Sequence, residues 1–478
     1  MPHRVVRILD EVPAPLAAGF RALVEELKVP ESFPRDVLDE AGLVAREPVI
    51  AGGAYADATG IEFVTIDPPA STDLDQALCL ERRGDGYRVY YAIADVAAFV
   101  RPGAPLDAET HRRGETLYAP NLKTPLHPPV LSDDAASLLP GQERPALLWR
   151  VDLDAAGEIV DASVSRARVR SRAKLDYAGV QRRLDAGTAG PMLDLLPVIG
   201  RLRQEREIAR GGVSLNVPEQ EVDAEGAQWT LRYRVALPVE DFNAQISLLT
   251  GIAAAQLMLR GRVGLLRTLP PADPSALARL RRTAAALGIE WPPDEGYPEF
   301  VRSLDPSRGA GAAMASACTA LFRGAGYVAF NGEVPAEHVH AALATPYAHV
   351  TAPLRRLGDR YAGEICVALC AGSGVPEWVT QALDAVPAEL AESGRRAKAY
   401  ERGIVDLVEA LVLRDRVGET FTGTVIEADE RGGVLLLADP AVEARVDGSG
   451  LVLGAQVPAR LASVDLQRRA VRFVAGIR

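Results

Sequence analysis

The sequence predicts an α+β protein of several domains: a small helical module, a larger mixed α/β region and a C-terminal β-barrel. Three observations carry this prediction. A helical apolar period opens the chain, strand-like and helical patterns follow one another through residues 61–415, and short alternating runs split by Gly, Asp and Pro fill residues 418–478. The chain has 478 residues, which is long enough for two to four domains at roughly 150 residues each.

Residues 1–60 are predicted to form the small helical module. The stretch LAAGFRALVEEL, residues 16–27, has the apolar spacing of a helix, and PRDVLDEAG predicts a second short helix that Ser32 caps and Gly42 ends. Two short helices followed by a pair of strands would form a winged helix-turn-helix, which is a nucleic-acid-binding unit. The stretch AGGAYADATG, residues 51–60, has the composition of a linker.

The region 61–415 begins with strands and continues with helices. QALCL, the turn ERRGDG and YRVYYAIAD together predict one hairpin, and ALLWRVDLDAAGEIVDASVSRARVRS predicts a second that turns at AAG. From about residue 175 the pattern is mostly helical, as in FNAQISLLTGIAAAQLMLRG at residues 242–261. Residues 418–478 then return to short strands, and their texture is that of a five-stranded barrel of the OB type, which commonly binds single-stranded nucleic acid.

The composition is that of an ordinary globular protein. Hydrophobic residues make up 48% of the chain and charged residues 24%. No apolar run reaches the ~18 residues that a membrane span needs, and the N-terminus lacks the apolar core of a secretory signal. The four cysteines form no CxxC pair, which favours buried thiols over disulfides or zinc ligands. We therefore expect a cytoplasmic protein with no membrane partner.

One basic stretch stands inside an otherwise acidic chain. The net charge of −11 argues against a protein that coats nucleic acid nonspecifically, although a basic groove inside an acidic shell is compatible with it. In SRARVRSRAKLDY five basic side chains recur with period two: Arg166, Arg168, Arg170, Arg172 and Lys174. If the run is a strand, all five line one face and form a phosphate track; a charged edge strand that blocks aggregation is the alternative.

The segment TIDPPASTDLDQAL, residues 65–78, places Asp67, Asp73 and Asp75 within nine residues, directly after the apolar strand pattern IEFVTI. Asp73 and Asp75 are two apart, so both point to one side of an extended chain, and a loop can fold Asp67 back beside them. Carboxylates this close repel one another, and a hard cation such as Mg²⁺ relieves the repulsion and leaves ligand positions for phosphate and water. The pattern indicates metal-assisted phosphoryl chemistry; a solvated acidic loop is the alternative.

The segment PYAHVTAPLRRLGDRY, residues 346–361, offers groups that bind phosphate. Arg355 and Arg356 follow a Thr-x-Pro turn and should lie at a helix start, where guanidinium donors and helix amides both suit phosphate oxygens. The alternative is a surface arginine pair without a role. His349 is a candidate substrate contact or a structural hydrogen-bonding group.

Residues 112–140 form a loop that is too long and too rich in Pro for a simple hairpin connection, and long ordered loops are often functional. Tyr118 in this loop offers an aromatic platform for a base or ribose. A tyrosine that anchors the core is the alternative.

These motifs together resemble the ribonuclease II/ribonuclease R (RNB) family of exoribonucleases. The resemblance rests on seven elements in family order over about residues 61–415: TID with DLDQ, TLYAPNLKTPLHP, LSDDAASLLP, AKLDYAGV, VEDF, TAPLRR and AYERG. A C-terminal RNA-binding barrel follows, as the family leads one to expect. Two departures stand out: a short helical module replaces the two cold-shock barrels usual in the family, and Gln76 stands where a fourth Asp is expected.

The resemblance implies processive 3′→5′ hydrolysis of single-stranded RNA with a free 3′ end, giving nucleoside 5′-monophosphates. We expect the protein to be a monomer. The resemblance implies one or two Mg²⁺ ions, with Mn²⁺ as a substitute, held by Asp67, Asp73, Asp75 and Gln76. It implies that these three aspartates and Arg355 are catalytic, with Arg355 stabilising the transition state. Tyr118 would stack on the terminal nucleotide and set the product length, and further substrate contacts are expected from Tyr177, Glu240, His349, Arg356, Glu401, Arg170 and Arg172.

Two other functions remain open at this point. Because Gln76 carries one charge fewer than Asp, the chain is also compatible with a catalytically silent RNA-binding relative of the family. A nucleic-acid-binding regulator that acts through its N-terminal module is the other alternative, although few basic residues there speak for it.

Overall fold

The computed structural model describes residues 6–8, 14–48, 55–119, 122–213, 219–225, 228–234, 236–305 and 309–476. Within these ranges the chain has the predicted α+β architecture, with a helical N-terminal module, a central sheet covered by helices and a closed C-terminal barrel. The largest hydrophobic core runs from one face of the central sheet into the helices that cover it.

The N-terminal module contains two helices. Its elements are β1 (Val6–Ile8), α1 (Ala14–Glu26), α2 (Arg35–Val44) and β2 (Ala56–Asp57). Pro34 holds the N-cap position of α2, so the prediction that Ser32 caps this helix is wrong. The helix also continues past Gly42, because Ala41 and Val44 on either side of it are buried.

The strand pair of the predicted winged helix is only partly within the described residues. Residues 49–54 lie outside them. The described strand that follows the two helices, β2, is an edge strand of the central sheet instead of half of a separate hairpin. A nucleic-acid-binding role for this module therefore stays a prediction.

The central sheet follows in the chain. Its region contains β3 (Phe63–Ile66), β4 (Gln76–Arg83), β5 (Gly86–Ala94), α3 (Pro105–Arg113), β6 (Leu117–Ala119), β7 (Leu122–Thr124), β8 (Glu143–Leu153) and β9 (Ile159–Leu175). The sheet has the strand order β2-β9-β3-β4-β5-β8, and β8 pairs back onto β9. Both predicted hairpins are confirmed, because β4 pairs antiparallel with β5 and β8 with β9.

The basic stripe of residues 166–174 lies in β9, as predicted, but it does not line one face throughout. Phe63 of β3 pairs with Ser171 and Val64 pairs with Ala173, so Arg172 is an extra residue in a β-bulge. A bulge reverses the alternation of side chains beyond it. Lys174 therefore lies on the face of Ser171, opposite to the face of Arg170, and the prediction of a single five-residue stripe is wrong for Lys174.

Trp149 of β8 is a large, fully buried side chain in the central sheet. It is 0% exposed and lies between Tyr91 on β5 and Val164 on β9 in the sheet register. We expect Trp149→Ala to lower the free energy of unfolding by about 3–5 kcal/mol, since the substitution leaves a large cavity in a close-packed core. Urea unfolding followed by far-ultraviolet circular dichroism measures the change.

The matched control for Trp149→Ala is Val160→Ala on β9, because Val160 is 64% exposed. This substitution should change the free energy of unfolding by less than about 0.5 kcal/mol. Equal shifts of the two unfolding midpoints would show that Trp149 does not stabilise the core more than an exposed side chain does.

Helices predominate after the sheet. The elements in this part are α4 (Tyr177–Asp185), α5 (Leu195–Ala209), β10 (Glu219–Glu225), β11 (Gln228–Arg234), α6 (Pro238–Gly261), β12 (Val263–Thr268), α7 (Pro274–Ala286), α8 (Tyr297–Ser303), α9 (Gly309–Cys318), β13 (Gly326–Asn331), β14 (Val339–His340), β15 (Thr345–Pro346), α10 (Leu357–Ala371), α11 (Glu377–Ala382) and α12 (Val386–Leu413). The predicted helical region is thus confirmed, with short strands between the helices.

Helix α6 is the most apolar long helix among the described residues. By length and composition alone it would be able to cross a membrane, and 67% of its apolar stretch is buried inside the protein. Its residues Ile246, Leu249 and Met258 are 0% exposed and belong to the core that covers the central sheet. The helix is therefore packed as a core helix in this structure.

The C-terminal strands close into the predicted five-stranded barrel. The strands are β16 (Thr420–Ala428), β17 (Gly432–Leu437), β18 (Glu443–Asp447), β19 (Gln456–Asp465) and β20 (Ala470–Ala475), in the order β16-β17-β18-β20-β19. Phe421 and Phe473 meet edge to face inside it, with ring centroids 5.7 Å apart. The same core includes Phe20 of α1 and Tyr400 of α12, so the two ends of the chain pack on one long helix.

Candidate active site

The register of two strands brings the predicted acids together. β3 and β4 are antiparallel and pair Val64 with Leu78. Carried three residues further, this register places Asp67 opposite Asp75 at one end of the sheet. The Asp67 amide donates to the carbonyl oxygen of Leu175 at 3.0 Å, which fixes the end of β3 against β9. Asp67, Asp73 and Asp75 are called the acidic centre below.

Asp75 is the most deeply placed acid of the acidic centre, with 3% of its surface exposed. Its Oδ1 accepts a hydrogen bond from the Leu354 amide at 2.8 Å, and its Oδ2 lies 3.2 Å from Nε of Arg355. Burial raises the pKa of Asp75 to about 7, while the Arg355 guanidinium acts in the opposite direction. The two predicted catalytic residues are therefore in direct contact.

Asp67 is partly buried beside them. Burial raises its pKa to about 6, with Arg355 opposing this shift and the neighbouring Asp73 adding to it. Asp67 and Asp75 are therefore hard to ionise together, and a bound cation would stabilise both ionised carboxylates.

Asp73 faces the short hairpin of β6 and β7. Its Oδ2 accepts a hydrogen bond of 2.8 Å from the Tyr118 hydroxyl, and its Oδ1 lies 3.6 Å from the Lys123 ammonium. Lys123 also donates to Asp133 at 2.5 Å. Tyr118 is 44% exposed, so its ring is accessible beside the acids instead of anchoring the core.

Sequence reasoning missed Lys123, although it lies in the segment TLYAPNLKTPLHP that carries Tyr118. Tyr118 and Lys123 are register partners across the hairpin. The signal was available, since partners across an antiparallel pair present their side chains to the same face.

Gln76 connects the acidic centre to the arginine segment. Its amide nitrogen donates to the Thr351 carbonyl oxygen at 2.6 Å, and its Oε1 accepts a short hydrogen bond from the Tyr91 hydroxyl. Both polar ends of the side chain are thus engaged by protein groups. Its predicted part in metal binding stays a prediction.

Residues 351–356, called the arginine loop, lead into α10 as predicted, with Arg356 at the N-cap position. Asp359 anchors the loop, because its carboxylate accepts from the Ala352 amide at 2.7 Å and from Arg356 at 2.8 and 2.9 Å. The Arg356 guanidinium is therefore turned toward Asp359, whose charge raises the pKa of Arg356. Arg355 is the arginine that reaches the acidic centre, and its side chain is 45% exposed.

Tyr177 and Glu240 lie on the Asp67 side of the site. Tyr177 opens α4, and its hydroxyl accepts from Asn243 at 3.3 Å. Burial raises the pKa of Tyr177, and the charges of Asp67 and Glu240 act in the same direction. Glu240 itself caps α6 and forms a two-bond ion pair with Arg234 at 2.7 and 2.8 Å.

His349 and Glu401 have protein groups other than the three acids as neighbours. The Nδ1 atom of His349 is hydrogen-bonded to the Tyr327 hydroxyl at 2.7 Å, and burial lowers the pKa of this histidine well below its usual value. Burial raises the pKa of Glu401 on α12, and the nearby Glu115 adds to this. Substrate contacts by these two residues stay predictions.

Arg170 and Arg172 also contact protein groups. Arg170 pairs with Glu143 on β8, and Arg172 donates to the Thr59 carbonyl oxygen at 2.7 Å. Arg166 is held in a mostly buried pair with Asp95 at 2.9 Å and with Glu364. The charge available to a phosphate track is accordingly smaller than the sequence predicts.

The acidic centre has the donor chemistry of a site for a hard divalent cation. Carboxylate oxygens are the ligands that Mg²⁺ prefers, and the raised pKa values of Asp67 and Asp75 fit a place where a cation is stabilising. Among the described residues, no three His, Cys, Asp or Glu side chains already lie close enough to hold a metal ion. Asp73 accepts a hydrogen bond from Tyr118 and lies 3.6 Å from the Lys123 ammonium.

Comparison with known proteins shows the family of the chain. The RNB domain model matches residues 55–369, and the model of the RNase II-type exonuclease C-terminal S1 domain matches residues 419–476. Ribonuclease R of Escherichia coli (strain K12) is 26% identical over 457 residues, which are 89% of this chain and 55% of that protein. The chain thus spans about half the length of that curated relative.

Two solved structures share the fold at low identity. Mycoplasma genitalium RNase R in complex with ribose methylated single-stranded RNA superimposes with a TM-score of 0.86 at 18% identity, over 97% of this chain and 78% of that one. Yeast Ssd1, a pseudonuclease, superimposes with a TM-score of 0.73 at 16% identity, over 93% of this chain and 57% of that one. Because the RNB domain model covers more than half of the chain, and the acidic centre lies inside the matched range, the chain belongs to the RNB domain family.

Proposed function

We propose that this chain is an exoribonuclease that hydrolyses single-stranded RNA processively from a free 3′ end to nucleoside 5′-monophosphates. The observation that carries the proposal is the contact between buried Asp75 and Arg355, beside Asp67, within the matched RNB range. The relatives support the choice of substrate, since one is named Ribonuclease R and a structural neighbour has single-stranded RNA bound.

Different side chains of the site would bind the metal, stabilise the transition state and hold the terminal nucleotide. Asp67, Asp73 and Asp75 would hold one or two Mg²⁺ ions, or Mn²⁺ as a substitute, and such ions supply an activated water and stabilise the leaving 3′ oxygen. Arg355 is held by Asp75 through Nε and its side chain is 45% exposed, so the guanidinium can face the phosphate and stabilise the charge of the transition state. The exposed ring of Tyr118 offers a stacking surface for the terminal nucleotide.

We also propose how the RNA reaches the acidic centre and where in the cell the protein acts. The C-terminal barrel, the half-buried Arg170 and the exposed Arg172 would guide the single strand toward the acidic centre, with Tyr177, Glu240, His349, Arg356 and Glu401 as further contacts. We propose that the protein acts in the cytoplasm as a monomer without a membrane partner; light scattering behind a sizing column tests the monomer.

Digestion of end-labelled RNA tests the proposed function. A 5′-labelled single-stranded 30-mer should shorten in Mg²⁺ to a small end product without intermediates of middle length, and EDTA should stop the reaction. The same RNA labelled at its 3′ end should release labelled mononucleotide from the first time point. Internal cuts, or a flat time course in Mg²⁺ and Mn²⁺, would overturn the proposal.

A catalytically silent RNA-binding protein is the second candidate. It is favoured by Gln76, which removes one charge from the acidic centre, and by the shared fold of the pseudonuclease Ssd1. The digestion separates the two candidates, because a silent relative retains the RNA in a mobility-shift assay without shortening it.

Replacing Tyr118 with Ala should lengthen the final product by about one to a few nucleotides, because the last bases lose a stacking contact of about 1–3 kcal/mol each. The control is Tyr118→Phe, which keeps the ring and removes only the hydroxyl that donates to Asp73. A sequencing gel of the end products shows the difference. If the Ala and Phe variants leave identical ladders to the natural chain, Tyr118 does not set the product length.

A further inference from the structure

The hairpin of β6 and β7 presents a cation to the acidic centre. Tyr118 and Lys123 are register partners across this hairpin and both reach Asp73. The Lys123 ammonium lies 3.6 Å from Oδ1 of Asp73 and 2.5 Å from Oδ1 of Asp133. It is 24% exposed, so it is held between two carboxylates and is still open to a substrate on one side.

Two other residues reduce the negative charge of the acidic centre. Gln76 stands next to Asp75 without a charge, and both its polar ends are used by Thr351 and Tyr91. Lys174 adds a positive charge near Asp67 and is tied to the Ser71 carbonyl oxygen at 2.6 Å. A second divalent ion would therefore find fewer charges to neutralise here.

We propose that Lys123 supplies the second positive charge of this centre, so that the chain holds one divalent cation at Asp67 and Asp75, with the Lys123 ammonium at Asp73 in place of a second ion. This inference rests on the proposed function, because it concerns the same site and the same phosphodiester substrate. An ammonium group is a compact point charge with three donors and binds phosphate oxygens well. It also repels a divalent ion that approaches Asp73, since like charges at a few ångströms interact strongly where water is largely excluded.

The geometry makes Lys123 a positioning residue for Asp73. Lys123 lies at Oδ1 of Asp73 while Tyr118 donates to Oδ2, so the hairpin contacts both oxygens that a second ion would need. This agrees with the finding that no three acid, His or Cys side chains among the described residues are close enough to hold an ion. The open side of the ammonium is then available to the phosphate of the RNA.

Counting bound Mn²⁺ tests the inference without reference to activity. The full chain, freed of metal and without RNA, is titrated with Mn²⁺ while electron paramagnetic resonance reports the free ion. We expect one equivalent for the natural chain and for Lys123→Arg, which keeps the charge, and two equivalents for Lys123→Met. Equal numbers for the natural chain and Lys123→Met would overturn the proposal.

The controls separate the charge of Lys123 from other effects. Lys28→Met removes an exposed lysine next to α1, outside the acidic centre, and should leave the count at one equivalent. Thermal melting establishes that each variant is folded, and Lys123→Gln takes the place of Lys123→Met if the latter is not. RNA digestion by the same preparations separates this inference from the proposed function. An inactive natural chain would refute the proposed function, while the Mn²⁺ count still decides the role of Lys123.

Discussion

Replacing Asp75 with Asn should lower the rate of RNA degradation by roughly 10³-fold or more and leave RNA binding nearly unchanged. The substitution removes the charge that faces Arg355 at 3.2 Å and that would face a metal ion. It keeps the shape of the side chain and an oxygen that can accept the hydrogen bond of the Leu354 amide. The chemical step should therefore fail while the fold and the RNA path remain.

The measurement is single-turnover digestion of labelled single-stranded RNA, with fluorescence anisotropy of the same RNA in EDTA as the binding assay. The matched control is Asp85→Asn, which changes an exposed acid in the turn of the β4–β5 hairpin that follows the acidic centre. Activity of Asp75→Asn within about 10-fold of the natural chain, a factor worth only about 1.4 kcal/mol, would refute the catalytic assignment of Asp75.

Replacing Asp359 with Ala should lower the free energy of unfolding by about 3–5 kcal/mol and also disable the site. Asp359 is 2% exposed and is the shared acceptor of the Ala352 amide and of the Arg356 guanidinium. Its loss leaves a mostly buried cation and a buried amide without their acceptor, which is the costly way to break an ion pair. The arginine loop then loses its anchor, and Arg355 loses its position against Asp75.

A double-mutant cycle gives this prediction a sharp control. Arg356→Met removes the cation that Asp359 satisfies, so Arg356→Met with Asp359→Ala should be less destabilised than the sum of the two single variants. Chemical unfolding gives the coupling energy, which we expect to be at least about 1 kcal/mol. Additive effects would show that the Asp359 carboxylate does not act through Arg356.

The Asp75 and Asp359 substitutions should affect the same site in different ways, one through its chemistry and the other through its stability. Asp75→Asn changes chemistry with little change of fold, because an amide replaces a carboxylate of the same size. Asp359→Ala changes position first and chemistry as a consequence, because Asp359 acts on the arginine loop through the Ala352 amide and Arg356. The ratio of lost activity to lost stability should therefore be far larger for Asp75→Asn.

Local sequence patterns predicted the parts of the molecule that short-range physics controls. Both hairpins of the central sheet, the helical middle of the chain and the closed barrel follow from alternation, helical period and turn residues, and all are confirmed. The family motifs implied that Asp75 and Arg355 both belong to the active site, and the fold brings them to within 3.2 Å of each other, while their catalytic roles stay predictions. Errors remained where a local detail competed with packing, as at the N-cap of α2 and at the bulge of Arg172.

The sequence by itself determined the acids, the arginine segment and the elements that carry them, because spacing along a strand or a helix fixes which side chains share a face. Only the tertiary structure decided which groups those side chains meet. Gln76 bonds to Thr351 from 275 positions away, and the Leu354 amide reaches Asp75 across 279 positions. Contacts over such separations leave no periodic trace in a single chain, since they depend on how strands and loops from distant segments pack. For the same reason the three-acid pattern predicted a metal cluster, whereas the folded chain adds Lys123 from a separate hairpin to that centre.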